Sequence, residues 1–212
     1  MRVVLLGFGR FPGFVRNPSA LLAERLARRR RPALAATTRI VQVFTTTYAA
    51  IDAELPKLFA GKPDIVLMFG LAARRRQVCV ETQARNALSV LFPDANGYRP
   101  ARGVIALGER ASMRSVAPSA RLLAAMRASR VPARVSRDAG RYVCNYAYWR
   151  ALKLAGRKGG PLVQFIHIPR LACDASRKRK QKHRPPSFAA TLNTAENLLI
   201  ALIAERRRQQ AC

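Results

Sequence analysis

The sequence predicts an α/β protein, a three-layer α/β/α arrangement around a central twisted, mostly parallel sheet. Two observations carry that prediction. Short apolar runs alternate with segments of helical spacing along most of the chain, and this order puts helices on both sides of a largely parallel sheet. The run from Asp64 to Gly70 is apolar without a period of two, the pattern of a strand covered on both faces. With 212 residues and 50% hydrophobic content, the chain can build one sizeable core. A single domain over residues 1–212 is expected, with a basic loop at 174–186 and a C-terminal amphipathic helix.

Arg2 to Phe8 reads as a buried strand and Pro18 to Arg30 as a helix whose stripe is set by Leu21, Leu22, Arg25 and Leu26. Asn17 or Ser19 suits its cap and Pro18 its first turn. A second strand is expected at Arg39 to Phe44, a helix at Tyr48 to Ala60, and a third strand at Asp64 to Gly70. A shorter strand, Gln77 to Val80, delivers Glu81 at its end, and a weak strand is expected at Val104 to Leu107. Then come a helix from Pro118 to Ser129, a strand around Ala133 to Ser136, a helix opening near Cys144, and a strong strand at Leu162 to Ile168. Ser187 to Arg207 closes the pattern as an amphipathic helix. Leu192, Leu198, Leu199, Leu202 and Ile203 face inward, and basic residues gather in the last turn, where the helix dipole favours them.

Lys+Arg 39 against Asp+Glu 11 gives a net charge of +28, which attracts nucleic acid, anionic lipid or acidic partners whatever the fold. The densest run, Arg177 to Arg184, reads as a solvated loop. It lacks the aromatic residues that stack on bases, which weakens a single-strand-binding reading. Cys79, Cys144, Cys173 and Cys212 show no CxxC and no paired spacing, so neither a zinc site nor a disulfide framework is indicated and a reducing, cytoplasmic setting fits. The apolar run Val3 to Leu6 stops at Gly7, too short for a signal-peptide core, and no later run approaches a membrane span. Gly7, Gly9 and Gly13 miss the dinucleotide fingerprint by one residue, and no acidic residue follows at the ribose position.

Candidate chemistry centres on Ser136 to Trp149, where the break signals Ser136, Asp138 and Gly140 precede Cys144 at the start of an apolar, helix-spaced run. A helix N-terminus offers unpaired N–H groups and a positive dipole end, which favour thiolate and can hold an oxyanion. A lowered thiol pKa is therefore expected. The chain has two histidines; His183 lies in the basic loop, whereas His167 ends a strand and is the better base. Glu81, likewise at a strand end, can orient the imidazole. Phe8, Phe11 and Phe14 crowd one glycine and proline loop, where they either line a pocket or plug the core beneath.

On these residues the chain resembles the pyroglutamyl peptidase I family (pyrrolidone-carboxylate peptidases), cysteine exopeptidases that remove an N-terminal pyroglutamate from peptides. The likeness runs through GFGRFPGFVRNPS, Gly70 with Arg75, Glu81 and Asn86, the Pro93-Asp94 turn, DAGRYVCN and FIHIP, most of residues 1–170. It implies Cys144 as nucleophile, His167 as general base and then acid, and Glu81 as the residue orienting His167. It places Phe11 and Tyr142 where the family clamps the pyrrolidone ring, with a tyrosine where phenylalanine is usual. Phe8, Asn17 and Val143 match pocket or loop positions. The resemblance implies a peptide or small amide substrate, no metal or cofactor, and assembly into homo-oligomers, which the charge of +28 opposes at low salt.

Two positions depart from the family pattern. Leu71 stands where a glutamine would meet the lactam amide, and Leu91 where an arginine would supply part of the oxyanion hole. The expectation that follows is weak or absent pyroglutamyl turnover, with better substrates presenting a less polar acyl group to Leu71. The alternative is a basic, nucleic-acid-associated binding protein on the same scaffold with its chemistry idle.

Overall fold

Side chains along the first strand, β1 (Arg2–Phe8), alternate between two separate cores in the computed structural model, which describes residues 1–156, 159–172 and 185–211. Val3 and Leu5 pack on one side with Leu22 and Leu26, while Val4, Leu6 and Phe8 pack on the other with Ile51, Leu55 and Trp149. A strand covered on both faces reads as an unbroken apolar run for this reason. The third strand, β3 (Ile65–Leu71), and the last, β8 (Leu162–Ile168), are buried at every position. The half-buried β2 (Thr38–Phe44) forms one edge beside β1.

With β4 (Val78–Glu81) and β7 (Ala133–Ser136), the sheet has the order β2-β1-β3-β8-β4-β7. The first four strands are parallel to one another, but β4 pairs antiparallel with β8 and parallel with β7. Two strands at one side therefore run against the rest, which keeps the sheet mostly parallel, as expected. One face is covered by α1 (Pro18–Ala27), α3 (Ser119–Arg127) and α5 (Phe188–Ala211), the other by α2 (Tyr48–Ala60) and α4 (Val143–Ala155).

Asn17 caps α1, its side chain accepting from Ser19 N, and Gly7 lets that helix start lie against β1. A Cβ at Gly7 would sit 2.7 Å from both Ala20 Cα and Ser19 O. The buried stripe of α1 is Leu22, Ala23 and Leu26, while Leu21 and Arg25 face outward. The helix stops at Ala27, short of Arg30, because four consecutive arginines lead into Pro32 and the residue before a proline is biased away from helix. In α5 Leu198, Leu199, Leu202 and Ile203 are buried as expected, and Leu192 is half-buried against the same core.

Val104 to Leu107 forms no strand, contrary to expectation. The N–H groups of Ile105 and Ala106 both donate to Asn86 Oδ1 at 2.9 Å, so a side chain takes the donors a ladder would have used. A small antiparallel pair forms instead between β5 (Gln83–Arg85) and β6 (Ser112–Arg114). Arg177 to Arg184, with His183, Cys173 and Cys212, lies outside the described residues. Among those described, no helix is long and apolar enough to cross a membrane.

Candidate active site

Strand register brings the site together. Side chains of residues paired across a sheet project to the same face. His167 on β8 is registered with Gly70 on β3 and with Cys79 on β4, and Glu81 on β4 is registered with Phe165, two residues before His167. All of these positions face α4. Glu81 ends β4 and His167 lies near the end of β8, but β4 runs the opposite way. It reaches the imidazole because antiparallel pairing sets it beside Phe165, diagonal to His167.

Cys144 arrives from the other layer as the second residue of α4, with Tyr142 at the N-cap. The chain before it is shaped by short side-chain turns: Ser136 Oγ accepts from Asp138 N, and Asp138 Oδ1 accepts from Gly140 N. The next residue, Asn145, fixes the helix start by accepting from Arg85 N at 2.9 Å and donating to the carbonyls of Arg85 and Ala87. A Cβ at Gly70 would lie 2.9 Å from Cys144 Sγ and 2.8 Å from Phe165 Cζ. The thiol thus occupies the space a side chain at position 70 would need, next to the strand that carries His167.

His167 Nδ1 lies 2.8 Å from Glu81 Oε1, with both side chains buried. With Glu81 ionised, Nδ1 donates and Nε2 keeps its lone pair for proton exchange. Glu81 is itself held from several sides. Its carbonyl accepts from Tyr148 Oη and Gln164 Nε2, each at 2.8 Å, and Oε1 also accepts from Arg75 Nη1 at 2.5 Å. Arg75 in turn donates to Asp138 O and Ser136 Oγ, tying the pair to the loop before α4. Oε2 is buried without a partner among the described residues.

Burial pulls the Glu81 carboxyl up, yet the hydrogen bond and charge of His167, the Ser136 hydroxyl and the Arg75 guanidinium together hold it below its ordinary value. Cys144 behaves otherwise. Burial first, and the Glu81 charge second, push its thiol up to about 12, against the pull of its own backbone N–H. The helix N-terminus alone does not deliver the lowered thiol pKa expected from sequence, because desolvation outweighs it.

The three phenylalanines divide between the two readings. Phe8 is fully buried against Phe44 and Phe165, a core plug. Phe11 stacks on Phe14 at 4.8 Å and faces the Tyr142 ring at 6.4 Å, and Arg170 lies over Phe14 at 5.0 Å. Tyr142 donates to Pro93 O at 2.8 Å. Asn17 serves the loop, donating to Gly9 O as well as capping α1, and Val143 is buried in the core at the first turn of α4. Leu71 follows Gly70 in β3, so its side chain leaves the sheet on the face away from Cys144. Leu91 is 71% exposed on a loop tied to the α4 entrance by Ser89 N to Arg141 O at 2.6 Å.

The described residues contain no cluster of three or more His, Cys, Asp or Glu side chains that could hold a metal. Sequence reasoning missed the support given by Tyr148, Gln164 and Ser136. The family likeness runs through Arg75, but no local signal told which acid it would meet.

A family model described as pyroglutamyl peptidase matches residues 1–207. The chain belongs to the pyroglutamyl peptidase family. Among the family's curated members, the pyrrolidone-carboxylate peptidase of Gloeobacter violaceus is 31% identical over 207 residues, 97% of this chain and 98% of that protein. The one from Cupriavidus pinatubonensis is 35% identical over 84% of this chain and 82% of its own length. A solved structure of a variant pyrrolidone carboxyl peptidase from Pyrococcus furiosus superimposes with a TM-score of 0.86 at 26% identity, covering 97% of this chain and all 100% of that one. Pyroglutamyl peptidase I of Bacillus amyloliquefaciens gives 0.82 at 25% identity over 97% and 98% of the two chains. The family's layered α/β architecture is the one described above.

Proposed function

We propose that this protein is a cysteine exopeptidase that removes an N-terminal pyroglutamyl group from peptides, with Cys144, His167 and Glu81 as its catalytic triad. The observation that carries the reading is the buried His167 Nδ1 to Glu81 Oε1 contact of 2.8 Å on the sheet face against which the Cys144 thiol rests. Family membership supports the substrate class.

In this reading Cys144 Sγ attacks the acyl carbonyl carbon as its proton passes to His167 Nε2, and Glu81 stabilises the imidazolium. The backbone N–H of Cys144, in the unpaired first turn of α4, receives the developing oxyanion. The C–N bond then breaks, His167 gives its proton to the leaving amine, and a thioester remains. Water attacks the thioester as His167 takes its proton, which frees pyroglutamic acid and restores the thiol. Phe11 and Tyr142 grip the two faces of the ring. The chain works as one domain over residues 1–212, in a reducing cytoplasmic setting where its thiols stay free. Nothing observed favours the basic binding-module alternative.

The test is release of aminomethylcoumarin from its pyroglutamyl amide, before and after iodoacetamide. Turnover that disappears as Cys144 is alkylated supports the assignment; a folded protein with a reactive Cys144 and no turnover overturns it.

A further inference from the structure

Four tyrosines lie on α2, on α4 or at the α4 N-cap, and three have their hydroxyls engaged. Tyr142 donates to Pro93 O at 2.8 Å, Tyr146 to Asp52 at 2.7 Å and Tyr148 to Glu81 O at 2.8 Å. Tyr48 differs. Its ring is 6% exposed and stands edge-on to Tyr146 at 5.1 Å, Tyr98 at 6.0 Å and Tyr142 at 6.4 Å. Its hydroxyl is buried without a hydrogen-bond partner among the described residues. Native folds seldom leave a buried hydroxyl unpaired, so this one calls for an explanation.

The backbone holds the ring in place. Tyr48 is the first residue of α2, its N–H bonded to Asp94 Oδ2 at 3.2 Å behind the Thr47 cap. Burial keeps the phenol protonated, as do the neighbouring Tyr142, Asp94, Tyr98 and Cys144, so it remains a donor. Tyr142, the N-cap of α4 two residues before Cys144, is in ring contact with both Tyr48 and Phe11. A cavity of about 560 Å³ is lined by Tyr48 together with Asp94, Tyr98 and Tyr146, while the Tyr48 hydroxyl oxygen itself is buried.

We infer that the Tyr48 hydroxyl is a substrate-binding donor of the acyl pocket, receiving the lactam carbonyl oxygen of a pyroglutamyl group held at Cys144. The inference rests on the pyroglutamyl reading above. Phe11 and Tyr142 offer ring faces, and the Cys144 N–H is committed to the scissile carbonyl, so the lactam oxygen needs a separate donor. Leu71 cannot donate from its side chain. Substrate entry parts the Phe11–Tyr142 contact and fills the orphan hydrogen bond.

The test is protection of Cys144 from iodoacetamide by two neutral ligands, pyroglutaminol and cyclopentanemethanol, which share a five-membered ring and differ in the lactam. Tyr48→Phe keeps the ring packing and removes the donor. The expected result is about tenfold weaker protection by pyroglutaminol, with protection by cyclopentanemethanol and alkylation of the free thiol unchanged. Equal pyroglutaminol protection in both proteins overturns the inference and leaves the pyroglutamyl reading standing. Failure of the natural chain to bind pyroglutaminol or to cleave pyroglutamyl amides overturns that reading, and the inference with it. Should Tyr48→Phe not fold, the natural chain supplies the readout: the thiolactam analogue, a poorer acceptor, protects about tenfold less than the lactam, and equal protection again overturns the inference.

Discussion

Gly70 and Cys144 compete for one space: a Cβ on Gly70 would stand 2.9 Å from the Cys144 sulfur. Phe165 Cζ would stand 2.8 Å from the same Cβ, so the ring or the thiol must shift. Gly70→Ala should leave the fold intact but push Sγ off line, lowering kcat by about 10²-fold, the usual cost of a displacement approaching 1 Å. Pyroglutamyl turnover with a thermal melt of the same sample checks this; wild-type turnover would show that the thiol reacts from another rotamer.

The triad assignment predicts unequal losses. Cys144→Ala and His167→Ala should abolish measurable turnover, whereas Glu81→Gln should lower kcat by roughly 10- to 10³-fold, since an orienting group matters less than the reacting pair. Steady-state kinetics on the three variants decide it. Glu81→Gln as damaging as Cys144→Ala would point to collapse of the Arg75 and Ser136 network instead.

Burial holds the Cys144 thiol up at about 12. Its alkylation rate should therefore keep rising with pH through 9 and 10, and still exceed that of the fully buried Cys79. Mass spectrometry of partly labelled protein follows both sites. A plateau near neutrality would mean that His167 already holds the proton in the free enzyme.

Glu81 has a native pKa below its ordinary value. As pH falls below that ordinary value the unfolded chain takes up a proton that the native chain refuses, so stability drops until the native pKa is passed. Glu81→Gln removes this contribution and should flatten the acid limb of the stability curve. Urea midpoints between pH 6 and 3 report the slope, and an unchanged limb would remove Glu81 from the acid response.

The two departures from the family pattern should not weigh equally. Leu71 points away from the thiol, so Leu71→Gln should leave pyroglutamyl turnover within about twofold. Leu91 sits exposed on a loop tied to the α4 entrance through Ser89 and Arg141. The family pattern implies an arginine there at the oxyanion hole, so Leu91→Arg should raise kcat by about tenfold. Progress curves on one pyroglutamyl amide separate the two, and a gain from Leu71→Gln alone would reverse the ranking.

The sequence by itself determined the layered α/β class and most elements, and it singled out the three residues proposed above as the triad. Apolar runs and helix spacing are local signals, and the motifs around Cys144, Glu81 and His167 are contiguous in the chain. Local signals could not reveal that β4 runs against β8, because strand direction depends on which neighbour completes the ladder. That choice decided how Glu81 meets His167. The division of labour among Phe8, Phe11 and Phe14 was equally out of reach, since ring type is the same while burial differs. The thiol pKa departs from expectation for a related reason: a helix start is readable from residues in sequence, but the burial and the Glu81 charge that outweigh it come from segments the fold brings up from elsewhere in the chain. Burial and long-range charge are properties of packed neighbours, and only the tertiary structure specifies them.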